Sequence, residues 1–275
     1  MKTRYPLDSE DQQQAEAVES ALSEGLTPIQ PDLQQRARMH ARLFSRVQNS
    51  LAAESTRITV RHDEGHWRNI RPGVRAKTLS KDHRAFILDL APGASLPMHR
   101  HHENEECVVL HGSADLDELT VHAGDYHLAH SGSRHGQISS TIGALLYLRG
   151  IPIGHNKEVA RDLLTAFLPG KGRDHITIRA QEGVWSALAP GIWHKSLLCE
   201  GNSHSSMIRM KPQAVWQNSA EILAQDEEYL LLNGDMFVGD TLLREGDWQF
   251  APKGSKHLPL TTQHEALLFV RNVSG

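Results

Sequence analysis

The sequence predicts an all-β protein built as two tandem barrels behind an N-terminal helical segment. Three observations carry that expectation. A β-rich unit is repeated along the chain: I58-TVRHDEGHWRNIRPGVRAKTL returns as I176-TIRAQEGVWSALAPGIWHKSL. Within each unit, short apolar runs are punctuated by Gly, Pro, Asn and Asp at close intervals, as a closed antiparallel barrel requires. Helical periodicity is concentrated before residue 58 and in one stretch between the repeats.

Taken in order, Ser9-x-x-Gln12 reads as a capping box that opens a helix to about Ser23, and the stretch from Gly25 to Pro31 breaks it. Asp32 or Pro31 starts a second helix. Its Leu33, Ala37, Ala41, Phe44, Val47 and Leu51 form an apolar stripe, expected to pack on the following barrel or to dock a protein partner. The helical segment thus spans 1–57 and the first barrel 58–150. Strands are expected at Ala85–Leu90, Glu106–Leu110, Leu119–Val121, Tyr126–Ala129 and Ala144–Leu148, with Asp117-Glu118 as a hairpin tip. A linker over 151–175 holds a helix capped by Asn156 and running to about Phe167, then Pro169-Gly170-Lys171-Gly172. The second barrel occupies 176–275. The repeat offset is 118 at Ile58, Thr59, Arg61, Trp67 and Gly73, and it grows to 122 at Glu105, Gly112, Gly124, Gly132 and His135. Their late counterparts are Glu227, Gly234, Gly246, Gly254 and His257.

Composition narrows the function classes. A charged fraction of 23% and an apolar fraction of 39% describe a soluble globular chain. A net charge of -4 leaves no basic footprint for nucleic acid. No apolar run approaches membrane-spanning length, and MKTRYPLDSE lacks a signal-peptide core, so a cytoplasmic protein is expected. Two cysteines, Cys107 and Cys199, are too few for a disulfide framework. No nucleophile elbow, phosphate loop, dinucleotide fingerprint or C-x-x-C pair is present, which leaves metal chemistry.

The chemistry concentrates between Gly93 and His135. His99 and His101 are two residues apart, which on a strand puts both imidazoles on one face. Glu105 follows after a short turn and His135 returns from a later strand. In a closed barrel the four side chains converge, and this mixture of donors suits a divalent first-row metal. In the second unit Ser219 and Glu221 stand in place of the paired histidines, while Glu227 and His257 are kept. Glu221, Glu227 and His257 are a candidate weak second site, for a harder cation or a small-molecule ligand. Cys107, two residues past Glu105, is a candidate redox-sensitive thiol.

These intervals resemble the two signature motifs of the cupin superfamily, G-x5-H-x-H-x3-E-x6-G and G-x5-P-x-G-x2-H. Gly93, His99, His101, Glu105 and Gly112 match the first; Gly124, Gly132 and His135 match the second, with His130 at the proline position. The chain is therefore similar to two-cupin proteins, whose fold is a pair of double-stranded β-helix (jelly-roll) barrels. From Pro31 through T-V-R-x-x-E-G-x-W-x-x-x-x-P-G-V, and again at E105-ECVVLHG and G124-DYHLAHSGSRHG, it resembles the cupin of ChrR-type anti-sigma factors. That resemblance implies zinc at His99, His101, Glu105 and His135, a stress-responsive regulatory role in the cytoplasm, and an extracytoplasmic-function sigma factor as partner. Cupins with such ligands also host Fe, Mn or Ni as dioxygenases and other enzymes, so a metalloenzyme and a small-molecule binding module stand as alternatives. A homo-oligomer is compatible with any of them.

Overall fold

The computed structural model describes residues 9–25, 31–153, 156–168, 172–217 and 220–273. Two α-helices come first, α1 (Ser9–Gly25) and α2 (Leu33–Glu54). The side chains of the Ser9-x-x-Gln12 box, the break over 26–30 and most of the Pro169–Gly172 linker lie outside the described residues. Asp32 is the N-cap of α2. Its carboxylate accepts from the Gln35 amide at 2.7 Å, and Gln35 accepts from the Asp32 amide at 3.0 Å, a reciprocal capping box. On the apolar stripe of α2, Leu33, Phe44, Val47 and Leu51 are exposed.

From residue 50 onward the chain forms one compact unit. The first repeat contributes β1 (Ile58–Val60), β2 (Trp67–Arg71), β3 (Val74–Ser80), β4 (Ala85–Leu90), β5 (His99–Arg100), β6 (Glu105–Leu116), β7 (Tyr126–Ala129), β8 (Arg134–His135) and β9 (Ala144–Arg149). Helix α3 (Asn156–Thr165) connects it to the second repeat. There the principal strands are β10 (Ile176–Ile178), β11 (Ser186–Ala189), β12 (Ile192–Glu200), β13 (Ser203–Met210), β14 (Asp226–Val238), β15 (Trp248–Ala251) and β16 (Ala266–Val273). Asp117-Glu118 forms the expected two-residue hairpin tip between Leu116 and Leu119, with Asp117 at φ 55°.

The repeats exchange their leading strands. The first large sheet runs β10-β7-β6-β9-β4-β3-β2, so the opening strand of repeat two completes the sheet of repeat one. The second runs β1-β15-β14-β16-β13-β12-β11, with the opposite donation. Thr177 sits opposite His127, and Thr59 sits opposite Gln249 at the matching place in the other barrel.

Strand alternation then sorts the core. Phe86, Leu88, Val109, Leu146 and Leu148 fill the first barrel, while Ile208, Met210, Leu231 and Leu268 fill the second. The intervening residues Ile87, Val108, Tyr126, Leu128, Tyr147, Leu230, Trp248 and Phe269 meet in a third apolar layer between the two sheets. Strands such as β4 are buried on both faces, so they read as continuous apolar runs rather than as an alternating pattern.

Candidate metal centre

The local frame of the site is a pair of two-residue strands. Arg134 pairs with Arg100 and His135 with His99, which joins the H-x-H segment to the later turn. That turn is held by backbone bonds. The His101 amide donates to the Ser133 carbonyl at 3.0 Å, Gly132 donates to His101 at 2.7 Å, and Ser133 donates to His130 at 3.0 Å. Histidine at the usual proline position therefore leaves the turn closed, with the His130 side chain itself buried.

His99, His101 and Glu105 come together, with their potential ligand atoms all within 4.8 Å of one another. His101 Nδ1 lies 3.3 Å from Glu105 Oε2 and His99 Nε2 lies 4.0 Å from the same oxygen. His99 Nδ1 is bonded to the Pro97 carbonyl at 3.0 Å, which leaves Nε2 as the atom free for a ligand bond. His101 Nε2 is buried with no hydrogen-bond partner among the described residues. An orphaned imidazole nitrogen of this kind costs free energy unless something absent from the protein atoms satisfies it. The donor set and the orphaned atom together fit a divalent ion.

His135 arrives beside them, its ring centroid 4.8 Å from that of His101 and 6.0 Å from that of His99. It stands also beside two residues the motif reading did not single out. His127, His135 and His175 also place their ring nitrogens within 4.8 Å of one another. His127 comes from β7, whereas His175 precedes β10 and reaches this barrel only because β10 is donated across the seam. A sequence signal existed at His175, which stands one residue before the repeated Ile-Thr, but nothing local says which barrel that segment enters.

Burial sets the charge states. Burial lowers His135 to about 2 and His127 to about 4, His127 being lowered also by His175, so both rings are neutral near pH 7. His175 is lowered as well, by burial and by His101. Burial alone would raise Glu105, but His101, His99 and His135 hold it down at about 2, so it is a carboxylate. Neutral imidazoles beside a carboxylate are the protonation states a metal ligand needs.

The group opens on a cavity of about 620 Å³ that His99, His101, Glu105, His127 and His135 all line. Helix α3 contributes Glu158, Val159 and Asp162 to its wall. Cys107 lines it too, but burial and the neighbouring Glu105 push the thiol up, which disfavours the thiolate that a redox sensor requires.

The expected second site is not assembled. Among the described residues, the groups of three or more His, Cys, Asp or Glu side chains within ligand distance are the two in the first barrel. Glu227 instead accepts hydrogen bonds from Tyr229 and Asn272, and Glu221 is exposed. Ser219 lies outside the described residues. A second cavity of about 400 Å³ is lined by His194, His204, Trp216, Glu227 and His257.

Comparison with known proteins agrees with this layout. Residues 55–153 and 173–274 each match the ChrR cupin-like domain. No curated protein matches the chain. Among solved structures, a Nostoc punctiforme protein provisionally assigned as a dioxygenase is similar at 16% identity and a TM-score of 0.59, over 80% of this chain and 83% of that one. Two structures of oxalate decarboxylase, one from work on the Mn(II) centres of the Bacillus subtilis enzyme, are similar at 17% identity. Their TM-scores are 0.53 and 0.52, over 79% of this chain and 77% of theirs. At such identities the likeness is one of fold.

Proposed function

The chain belongs to the ChrR cupin-like domain family, and from that premise we propose that it is a metal-binding bicupin acting as a stress-responsive regulator of the anti-sigma type in the cytoplasm. The observation that carries the metal assignment is the meeting of His99, His101 and Glu105, with their potential ligand atoms within 4.8 Å of one another. His99, His101, Glu105 and His135 would hold the ion, the His135 ring lying 4.8 Å from that of His101. Zinc suits these nitrogen and oxygen donors and is the metal proposed, with iron, manganese and nickel as the alternatives. Bound there, a divalent ion supplies a fixed positive charge and Lewis acidity.

The protein's own residues set what reaches that position. The Pro97 carbonyl orients His99, and the paired β5 and β8 hold His99 and His135 in register. Helix α3 covers part of the cavity and is tied down by Arg100, which donates to the Thr165 carbonyl at 2.9 Å. An extracytoplasmic-function sigma factor is the proposed partner. Residues 1–57 contain no cysteine, so contact with it would not use a cysteine-ligated zinc in that segment.

A second reading, a metalloenzyme of dioxygenase type, is favoured by one observation: the cavity of about 620 Å³ is large enough for a small substrate beside the candidate ligands. Two measurements separate the readings. Purified protein that carries mainly zinc, consumes no oxygen with small diketones and retains a sigma factor on co-purification supports the regulator. Stoichiometric iron with turnover supports the enzyme.

A further inference from the structure

We propose that α3 is a latch on the first barrel whose seating depends on the metal centre, so that occupancy of that centre is read out as the position of the helix. The inference rests on the metal reading above and names how that site is coupled to the rest of the chain. Alternation along the ligand segment carries it. His99, His101 and His135 turn toward the cavity, whereas their chain neighbours Arg100, His102 and Arg134 reach α3. The strand that α3 packs against is β5, which holds His99 and Arg100.

The ties are polar and specific. Arg100 Nε donates to the Thr165 carbonyl at 2.9 Å and Nη2 to the Leu168 carbonyl, while Nη1 holds the Gly132 carbonyl at 2.9 Å in the turn before His135. Arg134 Nη1 donates to the Ala166 carbonyl at 3.3 Å. The last turn of α3 has no basic residue of its own, so these two guanidiniums cap the carbonyls at and just past its C-terminus. Nearer its start, His102 Nδ1 meets the buried Asp162 carboxylate. Arg84 pairs with Glu158 at 3.1 Å and with Glu103, between the ligands His101 and Glu105, at 3.0 Å. Apolar packing contributes less, since Leu164, Phe167 and Leu168 are exposed. An element held by polar ties over few buried apolar contacts opens locally at low cost.

The strands that carry both ligands and ties need such support. β5 and β8 form a sheet of their own, two residues long on each side, and so short a pair is marginal by itself. Ligand bonds to His99, His101 and His135 would fix it and with it the outward Arg100 and Arg134. The second barrel lacks both halves of the device. Ile222 bridges Lys256 where Arg100 pairs with Arg134, and Leu223 exchanges with Ser255 and Gly254 the backbone bonds that His101 makes with Ser133 and Gly132. The backbone therefore aligns Glu221 and Leu223, rather than Ser219 and Glu221, with the paired histidines. Ile222, Ala224 and Lys256 stand where Arg100, His102 and Arg134 stand, and all three are exposed. The imidazole pair and the ties are present together in one barrel and absent together in the other. Because α3 walls the cavity with Val159, Asp162 and Leu163, its release would also widen the approach to the ligands. Such coupling is reciprocal: whatever factor the ion contributes to seating the helix, the seated helix returns to ion affinity.

The test is amide hydrogen exchange of the full-length protein, metal-free and loaded with zinc, with bound zinc counted in the same samples. Zinc is expected to slow exchange over residues 157–168 by about tenfold, a usual size for coupling between linked sites, and to leave β13 in the second barrel unchanged. The double variant Arg100→Met with Arg134→Met alters no proposed ligand. It is expected to bind zinc about tenfold more weakly against a competing chelator and to lose the zinc-dependent protection of 157–168. Should that variant fold poorly, Arg134→Met alone carries the same comparison. Zinc bound to wild type without slower exchange over 157–168 overturns the latch and leaves the metal reading standing. Equal slowing over 157–168 and β13 overturns it as well, since that is global stabilisation. Protein that binds no zinc overturns both.

Discussion

Arg149 on the last strand of repeat one donates its Nε hydrogen to Glu228 of repeat two at 2.8 Å, and Arg271 on the last strand of repeat two makes the mirrored bond to Glu106. Both carboxylates are buried, and each also receives a tyrosine hydroxyl, Tyr147 on Glu228 at 3.0 Å and Tyr126 on Glu106 at 2.9 Å. The glutamate after each candidate-site glutamate, Glu106 after Glu105 and Glu228 after Glu227, thus points by strand alternation into the seam rather than into its barrel. Removing Arg149 leaves the buried Glu228 carboxylate to Tyr147 and to the Arg271 guanidinium at 3.9 Å, a loss of up to about 3–5 kcal/mol. Arg149→Met is expected to lower the denaturation midpoint by that order. Combining it with Glu228→Leu is expected to recover much of the loss, and a single variant as stable as wild type would refute the seam's role.

Acid should loosen the same seam at a different point. Asp247 is buried, which alone would raise it, but the Arg244 amide, the Arg61 guanidinium and the His62 amide hold its carboxyl below the usual range. A depressed carboxyl contributes stability that is fully present above the unfolded-state value and is lost as pH falls through the folded one. Stability measured from pH 6 downward is therefore expected to fall more steeply in wild type than in Asp247→Asn. Parallel curves would show that this carboxylate carries no such linkage.

Gly112, the last glycine of the first motif, answers to a steric demand. It sits at φ 73°, and a Cβ there would lie 2.0 Å from the Gly143 carbonyl oxygen; Gly234 repeats this at φ 83°, with 2.1 Å to the Glu265 oxygen. Positive φ at a non-glycine residue costs on the order of 1–3 kcal/mol, and the contact with a fixed backbone oxygen adds to it. Gly112→Ala is expected to destabilise the protein by at least that much in denaturant titration, whereas Gly93→Ala, which meets nothing within 4 Å, is expected to cost less. Equal effects at the two positions would remove the steric explanation.

The layer between the barrels is held by large apolar side chains. Phe269 is fully buried there, stacked on Tyr126 at 6.4 Å and tilted against Tyr147 at 5.5 Å. Phe269→Ala is expected to cost about 3–5 kcal/mol in equilibrium unfolding. A loss below that of an exposed control would mean the layer is not the structural junction described.

Much of this was legible in the residues themselves. Local spacing is enough to bring His99, His101 and Glu105 together, because strand alternation and a short turn are properties of neighbours in sequence. The repeated Ile-Thr-x-Arg and the late glycines likewise mark a duplication. Exchange of β1 and β10 is not local, however. Nothing between Gly172 and Ile178 specifies that His175 enters the other repeat's barrel, so its meeting with His127 depends on the long-range pairing of Thr177 with His127. The apolar stripe of α2 has correct helical periodicity, but periodicity says only that a face is apolar and not what covers it.

The most direct test of the central claim is metal binding by full-length protein altered at the candidate ligands, using His99→Ala and Glu105→Gln beside wild type. The expected result is that each variant loses one tightly bound divalent equivalent while its metal-free melting curve is retained. Variants that keep the full wild-type complement of metal would contradict the assignment of these residues as ligands.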